Sequence, residues 1–109
     1  MKPRIGIIPG DPSGIGPELI AKLLSDESVT DQADILLIGD AHLFKMGQRQ
    51  ADSSFSLTPC DARTSDWTEL PGFAHHAQDT IDADDVNIAA VTIASGKSAL
   101  ANLNTALEL

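Results

Sequence analysis

Short apolar runs alternate with segments in which apolar residues recur at helical spacing. Ile5, Ile7 and Ile8 make a β-branched run of the kind found in a strand covered on both faces of an α/β sheet, and Pro9 ends it. Pro17 suits the first position of a helix, Glu18 suits the positive end of its dipole, and Leu19, Ile20, Leu23 and Leu24 supply its apolar stripe. Residues 25–33 are polar and acidic and read as a loop. Ile35, Leu36, Leu37 and Ile38 form a second strand, and Gly39 and Asp40 hand over to a helix across residues 41–49 bearing Leu43, Phe44 and Met46, with Asp40 as its cap.

The pattern weakens over residues 50–72. Phe55, Leu57 and Cys60 alternate as a short strand, which Pro59 assigns to a sheet edge, and Pro71 and Gly72 mark a turn. Residues 73–81 are polar, carry two adjacent histidines and show no clear period. The apolar stretch 86–93 fits a strand or the start of a helix. Ser95 is a candidate N-cap before a helix with Leu100, Leu103 and Leu107 on one face. This order of elements with short connections predicts an α/β domain with a largely parallel sheet.

At 109 residues the chain can hold one core. No apolar run is long enough to span a bilayer, and Lys2 and Arg4 lead into too short a run for a signal peptide, so the cytoplasm is the expected location. The single Cys60 excludes an internal disulfide. Seven basic against sixteen acidic residues give a net charge of −9, which disfavours nucleic acid and anionic membranes as partners. A nest of backbone N–H groups could still hold a small anion.

Several motifs are incomplete. Gly14 and Gly16 begin a dinucleotide fingerprint, with Asp40 near the place of a ribose-binding acid, but Leu19 stands where the third glycine belongs. Gly96-Lys97-Ser98 resembles the tail of a phosphate loop, yet Val91 occupies the position of its first glycine, so a helix start with an exposed lysine is the better reading. His75 and His76 would point to opposite faces of a strand and cannot readily share a metal, so these and His42 read as surface histidines. Asp79, Asp82, Asp84 and Asp85 lack calcium-loop spacing and read as a solvated acidic loop. Trp67 and Phe73 are too isolated to stack nucleic-acid bases.

The most distinctive stretch is Pro9-Gly-Asp-Pro-Ser-Gly-Ile-Gly-Pro-Glu18, which joins a strand end, a glycine-rich turn and a helix start into a ready anion site. It resembles the amino-terminal signature of the 4-hydroxythreonine-4-phosphate dehydrogenase family (PdxA), as does Ala94-Ser-Gly-Lys-Ser-Ala99 leading into a helix. The resemblance implies a fold similar to isocitrate and isopropylmalate dehydrogenases, with two α/β domains around a cleft, working as a homodimer. It implies NAD-dependent oxidation of a phosphorylated hydroxy acid, followed by loss of carbon dioxide from the β-keto acid. The substrate would be 4-phosphohydroxy-threonine, in pyridoxal phosphate biosynthesis, or threonate or erythronate 4-phosphate.

A divalent metal (zinc, magnesium or manganese) would polarise the reacting hydroxyl. The family's histidine motifs for that metal do not occur here, and no ligand is carried over to His42, His75 or His76. Residues 1–109 thus read as the amino-terminal α/β segment of a longer two-domain enzyme, inactive alone and forming one wall of its cleft. Gly10, Asp11, Gly14 and Gly16 would shape the turn, and Asp11 and Glu18 would face the cleft. The rival reading is a complete small α/β binding module with an anion-binding turn.

Overall fold

In the computed structural model the described residues are 2–10, 14–64, 66–82, 86 and 93–109. The elements are β1 (Arg4–Ile7), α1 (Gly16–Leu24), α2 (Glu27–Thr30), β2 (Asp34–Gly39), α3 (Ala41–Ala51), β3 (Leu57–Cys60), a 3₁₀ turn (Trp67–Glu69), β4 (Phe73–Ala77) and α4 (Ile93–Glu108). The four strands form one sheet in the order β1-β2-β4-β3, with every pairing parallel. The α/β class and the parallel sheet read from the sequence are therefore observed.

Side-chain alternation along the central strand β2 builds two cores. Ile35 and Leu37 join Ile20, Leu24 and Phe44 beneath α1 and α3, while Leu36 and Ile38 join Ala74 on the opposite face. The chain runs forward from β1 to β2 to β3 with its helices on the first face. It then steps back from β3 to β4, which a right-handed connection can do only across the second face. Ala62, Trp67 and Leu70 of that connection accordingly pack on the second core, joined by Ala106 of α4.

Several local expectations are corrected. β1 is an outer strand among the described ones, and Ile5 remains 44% exposed instead of being covered on both faces. Helix α1 begins at Gly16, one residue before Pro17, and buries Pro17, Ile20, Ala21 and Leu24; Leu19 and Leu23 face outward. The acidic segment after it contains α2, whose first turn is capped by the Asp26 carboxylate accepting from Ser28 N–H. The periodless segment around the histidines contains β4, a central strand. Ser95 lies inside α4 and is buried, so it is not the cap. The leucines of α4 point away from the core, which is met by Ser95, Ser98 and Asn102. Most of the 86–93 stretch lies outside the described residues. β3 occupies the other sheet edge, as Pro59 required.

Candidate functional site

All four strands end at one side of the sheet, and two turns meet there. The first follows β1. Pro9 is fully buried, and an added Cβ on Gly16 would stand 2.0 Å from its carbonyl oxygen. Gly39, at the end of β2, packs against the Pro9 ring from another direction, where a Cβ would lie 3.1 Å from Cδ. Gly10 adopts φ +70° with open space around it, so there only the backbone conformation requires glycine. The turn thereby folds back to set the amino terminus of α1 beside the end of β1, an arrangement whose free N–H groups favour anions. Helix α3 holds α1 in place through Gly47, where a Cβ would fall 2.1 Å from the Pro17 carbonyl oxygen.

Of the residues predicted to line this wall, Gly10, Gly14 and Gly16 lie in the turn and its helix start, and Asp11 lies outside the described residues. Glu18 is in the first turn of α1, and Lys22 Nζ lies 3.5 Å from its carboxylate on the helix surface.

The second turn lies where the connections diverge: β2 leads into α3 on one face, whereas the chain after β4 reaches α4 on the other. In open parallel sheets this divergence leaves a crevice at the carboxyl ends of the strands. Here it is stitched by Asp40. Its carboxylate, 1% exposed, accepts from Thr80 N–H at 2.8 Å, Ile81 N–H at 3.0 Å and the Thr80 hydroxyl at 2.7 Å. Asp40 stands at the N-cap position of α3 but makes no side-chain cap hydrogen bond, which corrects its expected role. The same burial leaves it unable to reach a ribose.

The Thr80 hydroxyl donates to the Asp40 side chain and accepts in turn from Ser98 Oγ at 2.6 Å, tying α4 to the strand ends. His42 Nε2 donates to the Ile81 carbonyl oxygen at 2.7 Å and lies 3.5 Å from Asp40 Oδ2. Asp79, Thr80, Ile81, Asp82, Ala94 and Lys97 line an adjoining cleft of about 250 Å³. Thr80 and Ser98 carried no sequence signal, because residues 73–81 lack a period and Ser98 sat within an apparent phosphate-loop tail.

The two central histidines are buried, against the surface placement expected. His75 donates from Nε2 to the Gly39 carbonyl oxygen at 2.7 Å and meets the Phe44 ring edge-on at 5.3 Å. His76, on the other face, accepts from Ala62 N–H at Nδ1. Its neutral ring must then carry its proton on Nε2, so the Arg63 guanidinium 3.1 Å away meets an N–H and not a lone pair. Burial first, and that guanidinium second, push the His76 pKa down.

No three potential ligands converge on a metal site among the described residues. Asp84 and Asp85 of the acidic loop lie outside them. Trp67 and Phe73 pack on opposite cores and offer no shared platform. No described helix is long and apolar enough to cross a membrane.

No protein-family model matches the chain. A Pseudomonas aeruginosa protein provisionally named 4-hydroxythreonine-4-phosphate dehydrogenase 2 is 36% identical over 108 residues, covering 98% of this chain and 32% of that protein. A Clostridium botulinum protein provisionally named D-threonate 4-phosphate dehydrogenase is 29% identical, covering 99% of this chain and 32% of that protein. The crystal structure of a 4-hydroxythreonine-4-phosphate dehydrogenase from Burkholderia phymatum superposes with a TM-score of 0.86 at 26% identity, over all of this chain and 33% of the other. The chain spans about one third of the length of the curated relatives it matches. In sequence and in fold, then, the chain matches one third of the 4-hydroxythreonine-4-phosphate and D-threonate 4-phosphate dehydrogenases, consistent with an amino-terminal segment of that family.

Proposed function

We propose that this chain is the amino-terminal part of an NAD-dependent dehydrogenase that oxidises a phosphorylated hydroxy acid and releases carbon dioxide. The substrate is 4-phosphohydroxy-threonine or threonate or erythronate 4-phosphate. The observation that carries the reading is the turn from Pro9 to Gly16, which sets a helix amino terminus at the carboxyl edge of a parallel sheet. In this reading Gly10, Gly14 and Gly16 bring backbone N–H groups to the substrate or cofactor phosphate, and Asp11 and Glu18 face the cleft.

The described residues supply neither a ribose-binding acid at Asp40 nor a set of metal ligands. The reading places the divalent metal on chain beyond this segment. The segment alone is inactive and forms one wall of the cleft. The whole enzyme is a cytoplasmic homodimer without nucleic-acid or membrane partners.

NADH absorbance tests this with each phosphorylated substrate and added divalent metal, on the 109-residue chain and on the polypeptide carrying it in its native source. Turnover by the native-source polypeptide, and none by the chain alone, is expected. No turnover by the native-source polypeptide with any of the substrates would overturn the reading in favour of a small α/β binding module.

A further inference from the structure

His76 lies where β4, the chain after β3 and the end of α4 meet. The residue is 6% exposed, and each ring nitrogen faces a donor: Ala62 N–H at 3.1 Å from Nδ1, and Arg63 Nη1 at 3.1 Å from Nε2. A neutral imidazole offers one lone pair, and here it goes to Ala62. Arg63 keeps its place for another reason, since its Nη2 donates to the Glu108 carboxylate in the last turn of α4 at 3.2 Å. Asp61 completes the cluster. Its Oδ1 accepts from Arg63 N–H at 3.0 Å and lies 3.9 Å from His76 Nδ1, about 1 Å beyond hydrogen-bonding length.

We propose that residues 61–64 are a proton-operated latch on the carboxyl end of α4, closed while His76 is neutral and opened when it is protonated. A proton taken from water by Nδ1 sets that N–H against Ala62 N–H and an imidazolium against the Arg63 guanidinium. The Asp61 carboxylate then moves from Arg63 N–H to the new Nδ1–H, Arg63 leaves the ring, and Glu108 is released. Ala62 on one side, and Ala106 and Leu109 on the other, wall a cavity of about 320 Å³ on the second face, so opening the latch widens it.

The other groups around the ring leave the switch to these residues. Ile38, its neighbour on β2, is uncharged, and Cys60, its neighbour on β3, is a thiol whose pKa burial pushes up, so it stays protonated. His75 is held on the opposite face by the Gly39 carbonyl oxygen. Among the described residues of α4, Glu108 alone reaches the cluster, through Arg63. Burial and Arg63 lower the His76 pKa, and the Asp61 carboxylate opposes them, so the latch is closed at 6.5 and above and opens below that.

An NMR titration of the 109-residue chain from about pH 8 to about pH 5, above the general carboxylate range, tests this. At the upper end the His76 ring should carry its proton on Nε2 alone. On acidification the amides of Ala62, Arg63 and Glu108 should shift together with the ring, with one midpoint below 6.5. Arg63→Gln should raise that midpoint and Asp61→Asn should lower it; in Arg63→Gln the Glu108 amide should cease to follow the ring. Both substitutions fall on side chains about half exposed, which spares the core. A ring still neutral at about pH 5, a ring that titrates while Glu108 stays still, a midpoint indifferent to both variants, or a Glu108 response that survives Arg63→Gln overturns the latch.

Discussion

Gly16 rests on Pro9 so closely that a Cβ at Gly16 would stand 2.0 Å from the Pro9 carbonyl oxygen. Backbone cannot yield as the end of a side chain can, so Gly16→Ala should cost on the order of 3 kcal/mol. Gly10→Ala meets no atoms and has only its φ of +70° to oppose it, costing about 1 kcal/mol. Urea denaturation of the two variants should rank them in that order; equal losses would mean that the turn is held by conformation alone.

Gly47 inverts the usual rule for helix interiors. Alanine there ordinarily gains about 1 kcal/mol over glycine. In α3 its Cβ would fall 2.1 Å from the Pro17 carbonyl oxygen, forcing α1 away from α3. Gly47→Ala should lower the thermal midpoint and shift the amide resonances of residues 16–18, whereas a raised midpoint would contradict the close approach.

Asp40 joins β2 to the chain after β4. Asp40→Ala strands the buried Ile81 N–H and the half-buried Thr80 N–H, a loss on the order of 3 kcal/mol. Asp40→Asn keeps one acceptor oxygen and should lose less. Hydrogen exchange at Thr80 and Ile81 should accelerate in both variants, more so in the alanine one; unchanged protection would refute the stitch.

His76 sets a pH dependence whose sign follows from its environment. Its folded pKa lies below the ordinary 6.5, lowered by burial and by Arg63. The unfolded chain therefore binds the proton more readily, and stability falls as pH drops below about 6.5. Protonation also removes the Nδ1 acceptor used by Ala62 N–H. Denaturation midpoints should decline through that range, and His76→Gln should flatten the decline; an identical profile in the variant would assign it to other groups.

The sequence made β2 and α3 plain, because an unbroken aliphatic run and a periodic stripe each match one environment. β4 was hidden because His75 and His76 look polar, yet each ring is buried with a hydrogen-bond partner, one at the Gly39 carbonyl and the other at Ala62 N–H. α4 misled in the opposite sense: its leucines announced a core face, but Ser98 bonds to Thr80 at the core side and the leucines face out. Asp40 has the position of a cap, and only the tertiary return of Thr80 and Ile81 redirects it. Long-range pairing of this sort leaves no local period to read. The glycine turn was legible because positive φ and close backbone approach each demand glycine at fixed places.

The most direct test of the dehydrogenase reading at the level of this chain is backbone amide shift mapping with threonate 4-phosphate and with 4-phosphohydroxy-threonine, using inorganic phosphate as competitor. The reading predicts saturable shifts centred on Gly10, Gly14 and Gly16. Shifts confined to Lys97 and the cleft beside Asp82, or none at all, would contradict it.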